Sequence, residues 1–261
     1  MPKAYIGGSR SKLFLGATKV KRCYLGASKI YSAGNIVTYY VGSNTYTEEV
    51  DEDTSCLSPK TFTPSLSGWS FVGWREDKTA SGSVLSSKVM GDNPVSLYAV
   101  FKQNIICYTY NGSSSSTSTT KQRYYNTGNI ANPTFTLSQN ALSGWSPQGW
   151  CTSSGATASV SVANGGSVTL SSSATYYGKY AQTIYLYYNG NGATGGSTAT
   201  QSGTRYWNSG NTSNPSFTIR NNGFNRPNYS FINWRLNSTG GTAYSSGSSI
   251  TLSSNATLYA T

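Results

Sequence analysis

Gly68-Trp-Ser-Phe-Val-Gly-Trp74 decides the reading of this chain, because it comes back. It returns as Gly144-Trp-Ser-Pro-Gln-Gly-Trp150 and, more loosely, as Asn228-Tyr-Ser-Phe-Ile-Asn-Trp234. Large residues alternate with Ser, Gly or Asn, the pattern of a half-buried strand. A terminal tryptophan brings more buriable area than any other side chain, so Trp74, Trp150 and Trp234 are the expected core anchors. The flanks repeat in the same order. Upstream lie Ile36-Val-Thr-Tyr-Tyr40, Ile106-Cys-Tyr-Thr-Tyr110 and Ile184-Tyr-Leu-Tyr-Tyr188. Downstream lie Val95-Ser-Leu-Tyr-Ala-Val-Phe101, Ala174-Thr-Tyr-Tyr-Gly-Lys-Tyr180 and Ala256-Thr-Leu-Tyr-Ala-Thr261. The chain is a repeat protein, and one unit must be read and applied three times.

Each repeat opens on a strand (36–41, 105–110, 183–188) and passes a Gly/Ser/Asn-rich turn and a variable segment. That segment ends at Pro59, Asn132-Pro133 or Asn214-Pro215, where a short apolar strand is expected: Thr61-Phe-Thr63, Thr134-Phe-Thr-Leu137, Ser216-Phe-Thr-Ile219. The tryptophan strand, a small-residue loop and a closing strand follow. On the opening strand, Ile36, Thr38 and Tyr40 align with Ile106, Tyr108 and Tyr110 and with Ile184, Leu186 and Tyr188. That set holds an aliphatic residue in every copy and is the expected inward face. No long helical period occurs. The fold class is mainly β, a short N-terminal β-ribbon (1–35) followed by tandem sheet modules at 36–103, 104–181 and 182–261.

Charged residues make up only 10% of the chain, against roughly 25% in ordinary globular proteins. Gly, Ser, Thr, Asn and Tyr abound, the palette of short strands joined by turns. No window of roughly 18 apolar residues exists, so no membrane span is expected. The opening Met1-Pro-Lys-Ala-Tyr-Ile-Gly-Gly has too short an apolar run for a secretory signal, and export by that route is not expected. The net charge of +11 is uneven: residues 1–34 and 103–261 carry bases without a single acid, and all eight acids fall between them. Basic surfaces suit nucleic acid or an anionic wall, but the later bases are scattered singly, so no specific nucleic-acid binding is expected. Cys23, Cys56, Cys107 and Cys151 show no Cys-x-x-Cys spacing and histidine is absent, which argues against zinc. Cys107 and Cys151 share a repeat and could approach each other; four reduced thiols are the expectation.

Residues 3–31 carry a shorter repeat: Tyr5-Ile-Gly7, Phe14-Leu-Gly-Ala-Thr-Lys-Val20, Tyr24-Leu-Gly-Ala-Ser-Lys-Ile30. It reads as strand, tight glycine turn, strand. So small a ribbon has little core and needs a partner or another copy of itself. These hairpins resemble the amino-terminal segments of many tailed-bacteriophage structural proteins, which implies attachment to other virion proteins through residues 1–35. The larger repeat is similar to the internalin-type B repeat, also called the Listeria–Bacteroides repeat. Tyr110-Asn-Gly112 and Tyr188-Asn-Gly190 match its opening, Gly68 to Trp74 its centre, and Leu97-Tyr-Ala99 and Leu258-Tyr-Ala260 its close. The chain departs from that pattern at Pro147-Gln148, Phe101 and Tyr180. The resemblance implies small β-grasp-like modules of extracellular and surface proteins, without enzymatic activity of their own.

Glycosidase chemistry needs two neighbouring carboxyl groups, and residues 103–261 contain none. Without histidine, Ser-His-Asp and Cys-His arrangements are excluded. Glu48, Glu49, Asp51, Glu52 and Asp53 lack the Gly turn and distal Glu of a calcium loop and read as a solvated acidic loop. Asn189-Gly-Asn-Gly192 and Gly195-Gly196 lack a following helix and a Gly-Lys-Ser/Thr ending, so they read as turns. No catalytic residue, cofactor or metal is expected. What remains is binding, and the candidate surface aromatics are Tyr46, Tyr124, Tyr125, Tyr206, Trp207 and Tyr244. Packing between neighbouring repeats or subunits is their first reading and carbohydrate contact the second. For the second, Tyr206 and Trp207 form the preferred pair, with Arg205, Arg220, Arg226 and Arg235 adding charge toward host cell-wall glycans. The expected function is a non-enzymatic virion protein of tail, baseplate or head fibre, a homo-oligomer assembled in the host cytoplasm. The alternative is a bacterial cell-surface adhesin or glycan-binding repeat protein.

Overall fold

The computed structural model describes residues 14–15, 18–20, 22–32 and 34–261; the stretch Tyr5-Ile-Gly7 lies outside them. Among the described residues the regular elements are all strands, and no helix is present. In the ribbon, Phe14–Leu15 pairs with Thr18–Lys19 and Arg22–Leu25 with Ser28–Ser32, both antiparallel. Gly26 closes the second hairpin at φ 61°, a left-handed angle that costs glycine nothing.

The described residues divide into two compact units, one up to Ile105 together with Thr120–Pro133, the other Ile106–Thr119 with Thr134–Thr261. In the first unit the opening strand Gly34–Val41 turns back antiparallel into a return strand, Asn44–Asp51. The closing strand, the first half of Val95–Tyr110, lies parallel on the other side of the opening strand, Val37 facing Val95 and Tyr40 facing Tyr98. Beyond it the tryptophan strand Ser70–Arg75 runs antiparallel. A bulge between Phe71 and Gly73 re-aims the strand there. Glycine is required at that bulge, because a Cβ on Gly73 would stand 2.8 Å from Val84, and one on Gly149 in the second repeat 2.6 Å from Val160.

Trp74 is buried among Tyr39, Phe62 and Phe71, with ring centroids 5.0, 6.4 and 5.3 Å away. Its indole N–H donates to the Leu57 carbonyl at 3.0 Å, so the one polar atom of the anchor is satisfied. Val37, Tyr39, Val41, Val50, Leu97 and Phe101 complete this core. The inward face of the opening strand is therefore Val37, Tyr39 and Val41, not Ile36, Thr38 and Tyr40. In the second repeat it is likewise Ile105 and Cys107 that are buried, with Tyr108 exposed. Only the third repeat buries the expected Ile184 and Leu186. The parallel register explains the correction: Tyr39 lies beside Leu97 and Tyr188 beside Leu258, so the third repeat is offset by one residue, and one residue exchanges the faces.

Two further expectations change in the first repeat. Thr61–Thr63 forms no strand. The segment that would pair with it is engaged elsewhere, through Cys56 N–H to the Lys88 carbonyl and Met90 N–H to the Thr54 carbonyl, at 2.9 and 2.8 Å. Nor is the acidic run a solvated loop. Glu48 to Asp51 are strand residues, and Glu48 and Glu52 are buried. The Glu48 carboxylate accepts the backbone N–H groups of Lys60 and Thr61 at 3.0 and 2.8 Å and the Thr61 hydroxyl. Burial alone would raise this carboxyl; the Thr61 and Lys60 hydrogen bonds outweigh it and hold the group below its ordinary range. A lowered folded pKa means that the stabilisation is complete above the unfolded value of about 4.3 and is lost as pH falls through the folded value. Glu48→Gln is expected to cost about 1.5–3 kcal/mol at neutral pH and little in acid, read as urea midpoints across pH.

In the second unit, Ala174–Asn189 is a 16-residue strand that closes the second repeat and opens the third. Ile106–Tyr110 supplies the opening of the second repeat, its last four residues parallel to Ala174–Tyr177. Ser146–Cys151 pairs antiparallel with the same long strand, again with a bulge before Gly149. In the third repeat, Leu186–Asn189 runs parallel to Ala256–Tyr259, and Trp234–Leu236 pairs antiparallel with the latter. Asn233 stands where the bulge glycine was, no register shift occurs, and the tryptophan strand is only three residues long. Thr134–Leu137 pairs with Gly166–Thr169 and Ser216–Thr218 with Ser249–Thr251, supplying buried Phe135, Leu137, Phe217 and Ile250. Trp150 and Trp234 are buried and donate to the Leu137 and Arg220 carbonyls at 2.8 and 3.0 Å. All four cysteines are free thiols, Cys107 and Cys151 included, and burial pushes Cys56, Cys107 and Cys151 above the ordinary thiol range.

Candidate functional site

Arg123-Tyr-Tyr-Asn-Thr-Gly-Asn129 and Arg205-Tyr-Trp-Asn-Ser-Gly-Asn211 are the same element twice. Each is the end of a return strand and its tight turn. Asn126 pairs with Asn129 and Asn208 with Asn211, and both intervening residues have positive φ: Thr127 46° and Gly128 87°, Ser209 51° and Gly210 87°. Two such residues in a row define the type I′ hairpin turn, whose twist suits the flanking strands.

The turn reaches back onto the preceding repeat. The Asn126 amide donates both its N–H bonds, to the carbonyls of Asp77 and Thr79 at 3.0 Å each, and Asn129 donates to Lys78 at 2.8 Å. In the other unit Asn208 donates to Ser153 and Gly155 at 3.1 Å each, and Asn211 to Ser154 at 2.8 Å. The acceptors are the third, fourth and fifth residues after Trp74 and after Trp150. The short, uncharged Asn amide presents two donors from one nitrogen to two nearby carbonyls without bringing a charge into the site, which suits it to this fully buried place. The receiving loops are shaped beforehand. Arg75 binds Asp77 at 2.9 Å and also donates to the Ser81 and Ser83 carbonyls. That contact, seconded by the Thr79 N–H, holds the Asp77 carboxyl well below the usual carboxylate range. In the second repeat Lys179 does this work, its ammonium 2.7 Å from the Ala158 carbonyl.

Arginine and the aromatics finish the junction. The Arg123 guanidinium lies 5.3 Å from the Trp69 ring and Tyr125 lies 5.7 Å from the same ring. Arg205 lies 5.2 Å from the Trp145 ring and donates to the Ser253 carbonyl. Trp207 meets Tyr180 edge-on at 5.7 Å, and Lys179 sits 4.4 Å over the Tyr206 ring. Tyr124 donates to Gln122 on its own strand. Of the candidate surface residues, Tyr125, Arg205, Tyr206 and Trp207 are thus brought together with the repeat before them. The Asn-Thr/Ser-Gly-Asn turn that completes the clamp escaped residue-by-residue reading. Its signal was available as the recurrence of one heptapeptide at the same place in two repeats.

Among the described residues, the matching turn of the third repeat has its aromatic exposed. Leu66-Ser-Gly-Trp69 and Leu142-Ser-Gly-Trp145 close with the Trp N–H on the Leu carbonyl at 3.0 Å, glycine taking positive φ. Arg226-Pro-Asn-Tyr229 closes the same way at 3.2 Å, with Asn228 at φ 66°. There the aromatic is 67% exposed and carries its own arginine, Arg226, 3.9 Å above the ring.

Recurring strands, recurring clamps and three buried tryptophans define a tandem all-β repeat protein. The family model of the Listeria–Bacteroides repeat domain matches residues 36–100 and 185–261, more than half of the chain, and the protein belongs to that family. The second repeat, which carries Pro147-Gln148 in the central motif, lies between the two matches. No curated protein and no solved structure matches the chain.

Proposed function

We propose that this is a non-enzymatic structural protein of a bacteriophage virion, a tail, baseplate or head fibre component. In this reading residues 1–35 attach a homo-oligomer to other virion proteins and the repeats project toward the host surface. The observation that carries it is the clamp, formed twice: basic, aromatic and amide side chains that could have built a reactive site are engaged in joining one repeat to the last. A glycosidase pair would need two carboxyl side chains and a Ser-His-Asp triad a histidine; residues 103–261 have no Asp or Glu and the chain has no histidine. The resemblance of the amino-terminal hairpins supports the virion over other particles. The basic charge of residues 1–34 supports docking on an acidic neighbour.

The test is co-purification. The full chain is expected in density-purified particles at a fixed copy number, and a variant lacking residues 1–35 is expected to fold but stay out of them. Incorporation of the shortened variant at the normal level refutes the attachment role. Recovery from the surface of uninfected bacteria would favour the adhesin reading.

A further inference from the structure

The third repeat holds a cleft of about 220 Å³ lined by Asn225, Arg226, Tyr229, Ser230, Phe231 and Thr261, among others. We propose that this cleft binds an anionic saccharide, a sugar unit bearing a carboxylate or a phosphate. The proposal deepens the host-contact reading above and names its site.

Arg226 is held in place before any ligand arrives. One guanidinium nitrogen donates to the Asn191 carbonyl at 3.0 Å, and the group stacks 3.9 Å from the Tyr229 ring. Asn191 is in turn tied to the Ala260 carbonyl at 3.0 Å. Pro227 and Asn228 complete the turn that sets Arg226 and Tyr229 together. The remaining guanidinium N–H groups form the planar fork that recognises a carboxylate or phosphate through two parallel hydrogen bonds. Residues 103–261 contain no Asp or Glu, so no side-chain carboxylate of this repeat can occupy the fork. A preformed fork with no acidic side chain in its own repeat is complementary to an external anion.

The rest of the cleft suits a sugar ring. Phe224 and Phe231 wall it, buttressed edge-on against Trp234 at 6.2 and 5.1 Å. Arg226 covers one side of Tyr229, and 67% exposure leaves the rest of the ring to solvent. Aromatic faces receive the C–H faces of sugars, and two exposed polar side chains, Asn225 and Ser230, stand at the rim to meet hydroxyl groups. Tyr206 and Trp207 do not share this openness, being engaged with Lys179 and Tyr180. Arg205, Arg220 and Arg235 belong to the same acid-free repeat but do not line the cleft, so their charge bears on the approach of an anion rather than on its contacts.

The experiment uses the full chain in titration calorimetry against three probes: oligogalacturonate, a poly(glycerol phosphate) wall polymer and neutral dextran. Binding to at least one anionic probe, weakened by salt, is expected, with dextran weaker than either. Arg226→Gln is expected to lower affinity about tenfold or more, and Tyr229→Ala similarly, with unchanged melting temperatures. Arg220→Gln removes the same charge outside the cleft and is expected to change affinity less than about twofold. Equal losses in Arg220→Gln and Arg226→Gln would reduce the effect to overall charge and overturn the site. Absence of binding to both anionic probes, or tighter binding to dextran, would overturn it as well. Host-cell adsorption of wild type and Arg226→Gln separates the two levels: equal adsorption removes the cleft and leaves host contact standing, whereas no wild-type adsorption removes both.

Discussion

Trp234→Ala is expected to cost about 3–5 kcal/mol and to unfold the third repeat ahead of everything else. Trp234 is completely buried, and Tyr188, Phe231 and Phe224 meet its ring edge-on at 4.9, 5.1 and 6.2 Å. The other buried members of this core are one phenylalanine, aliphatic residues and an alanine, and all of them lose contacts when the indole is removed. The indole N–H also satisfies the Arg220 carbonyl, which alanine would leave without its partner. Hydrogen exchange should show lost protection across 183–189, 216–219 and 256–260, with the unit built on Trp74 unchanged. A cost below about 1 kcal/mol would mean that Trp234 is not the anchor of this core.

Asn208→Asp should be nearly as damaging at neutral pH, on the order of 3–5 kcal/mol, although it changes the size of the side chain hardly at all. The amide that donates to Ser153 and Gly155 would become a carboxylate facing two carbonyl oxygens in a site with no solvent exposure. Such an aspartate has its folded pKa raised above the unfolded value of about 3.9. The folded state then binds the extra proton, so the deficit is small below the unfolded pKa and grows as pH rises toward the folded one. Urea midpoints of wild type and Asn208→Asp, taken across pH, give the test. Parity at pH 7 would dismiss the clamp as a source of stability. Asn208→Ala provides the neutral comparison, with a pH-independent loss of about 1–3 kcal/mol for the carbonyls left unpaired.

Much of the local structure was legible because its causes are local. Alternation of large and small residues follows from the two-residue period of a strand, and a tryptophan at its end finds burial wherever the sheet lies. Gly26, Gly68 and Gly144 mark turns because their φ angles exclude most other residues. The heptapeptide of the clamp was also present in the sequence, and comparing the two copies rather than their single aromatics would have exposed it. Its partners were not, since the Asp77, Lys78 and Thr79 carbonyls carry no side-chain signature.

Which face of the opening strand points inward was decided by tertiary structure. Ile36, Val37, Tyr39 and Tyr40 offer large side chains on both faces, and alternation cannot choose between two apolar sets. The choice fell to the parallel neighbour Val95–Tyr98, distant in sequence, whose register buries Tyr39 beside Leu97. The acidic run follows the same rule. Charge alone predicts exposure, yet Glu48 is buried because the fold aims two backbone N–H groups at it. Composition and period thus determined by themselves an all-β repeat chain anchored on three tryptophans. Only the folded sheet decided which polar and aromatic side chains join one repeat to the next and which, like Arg226 and Tyr229, remain facing water, because hydrogen-bond partners and stacking faces are set by neighbours far away along the chain.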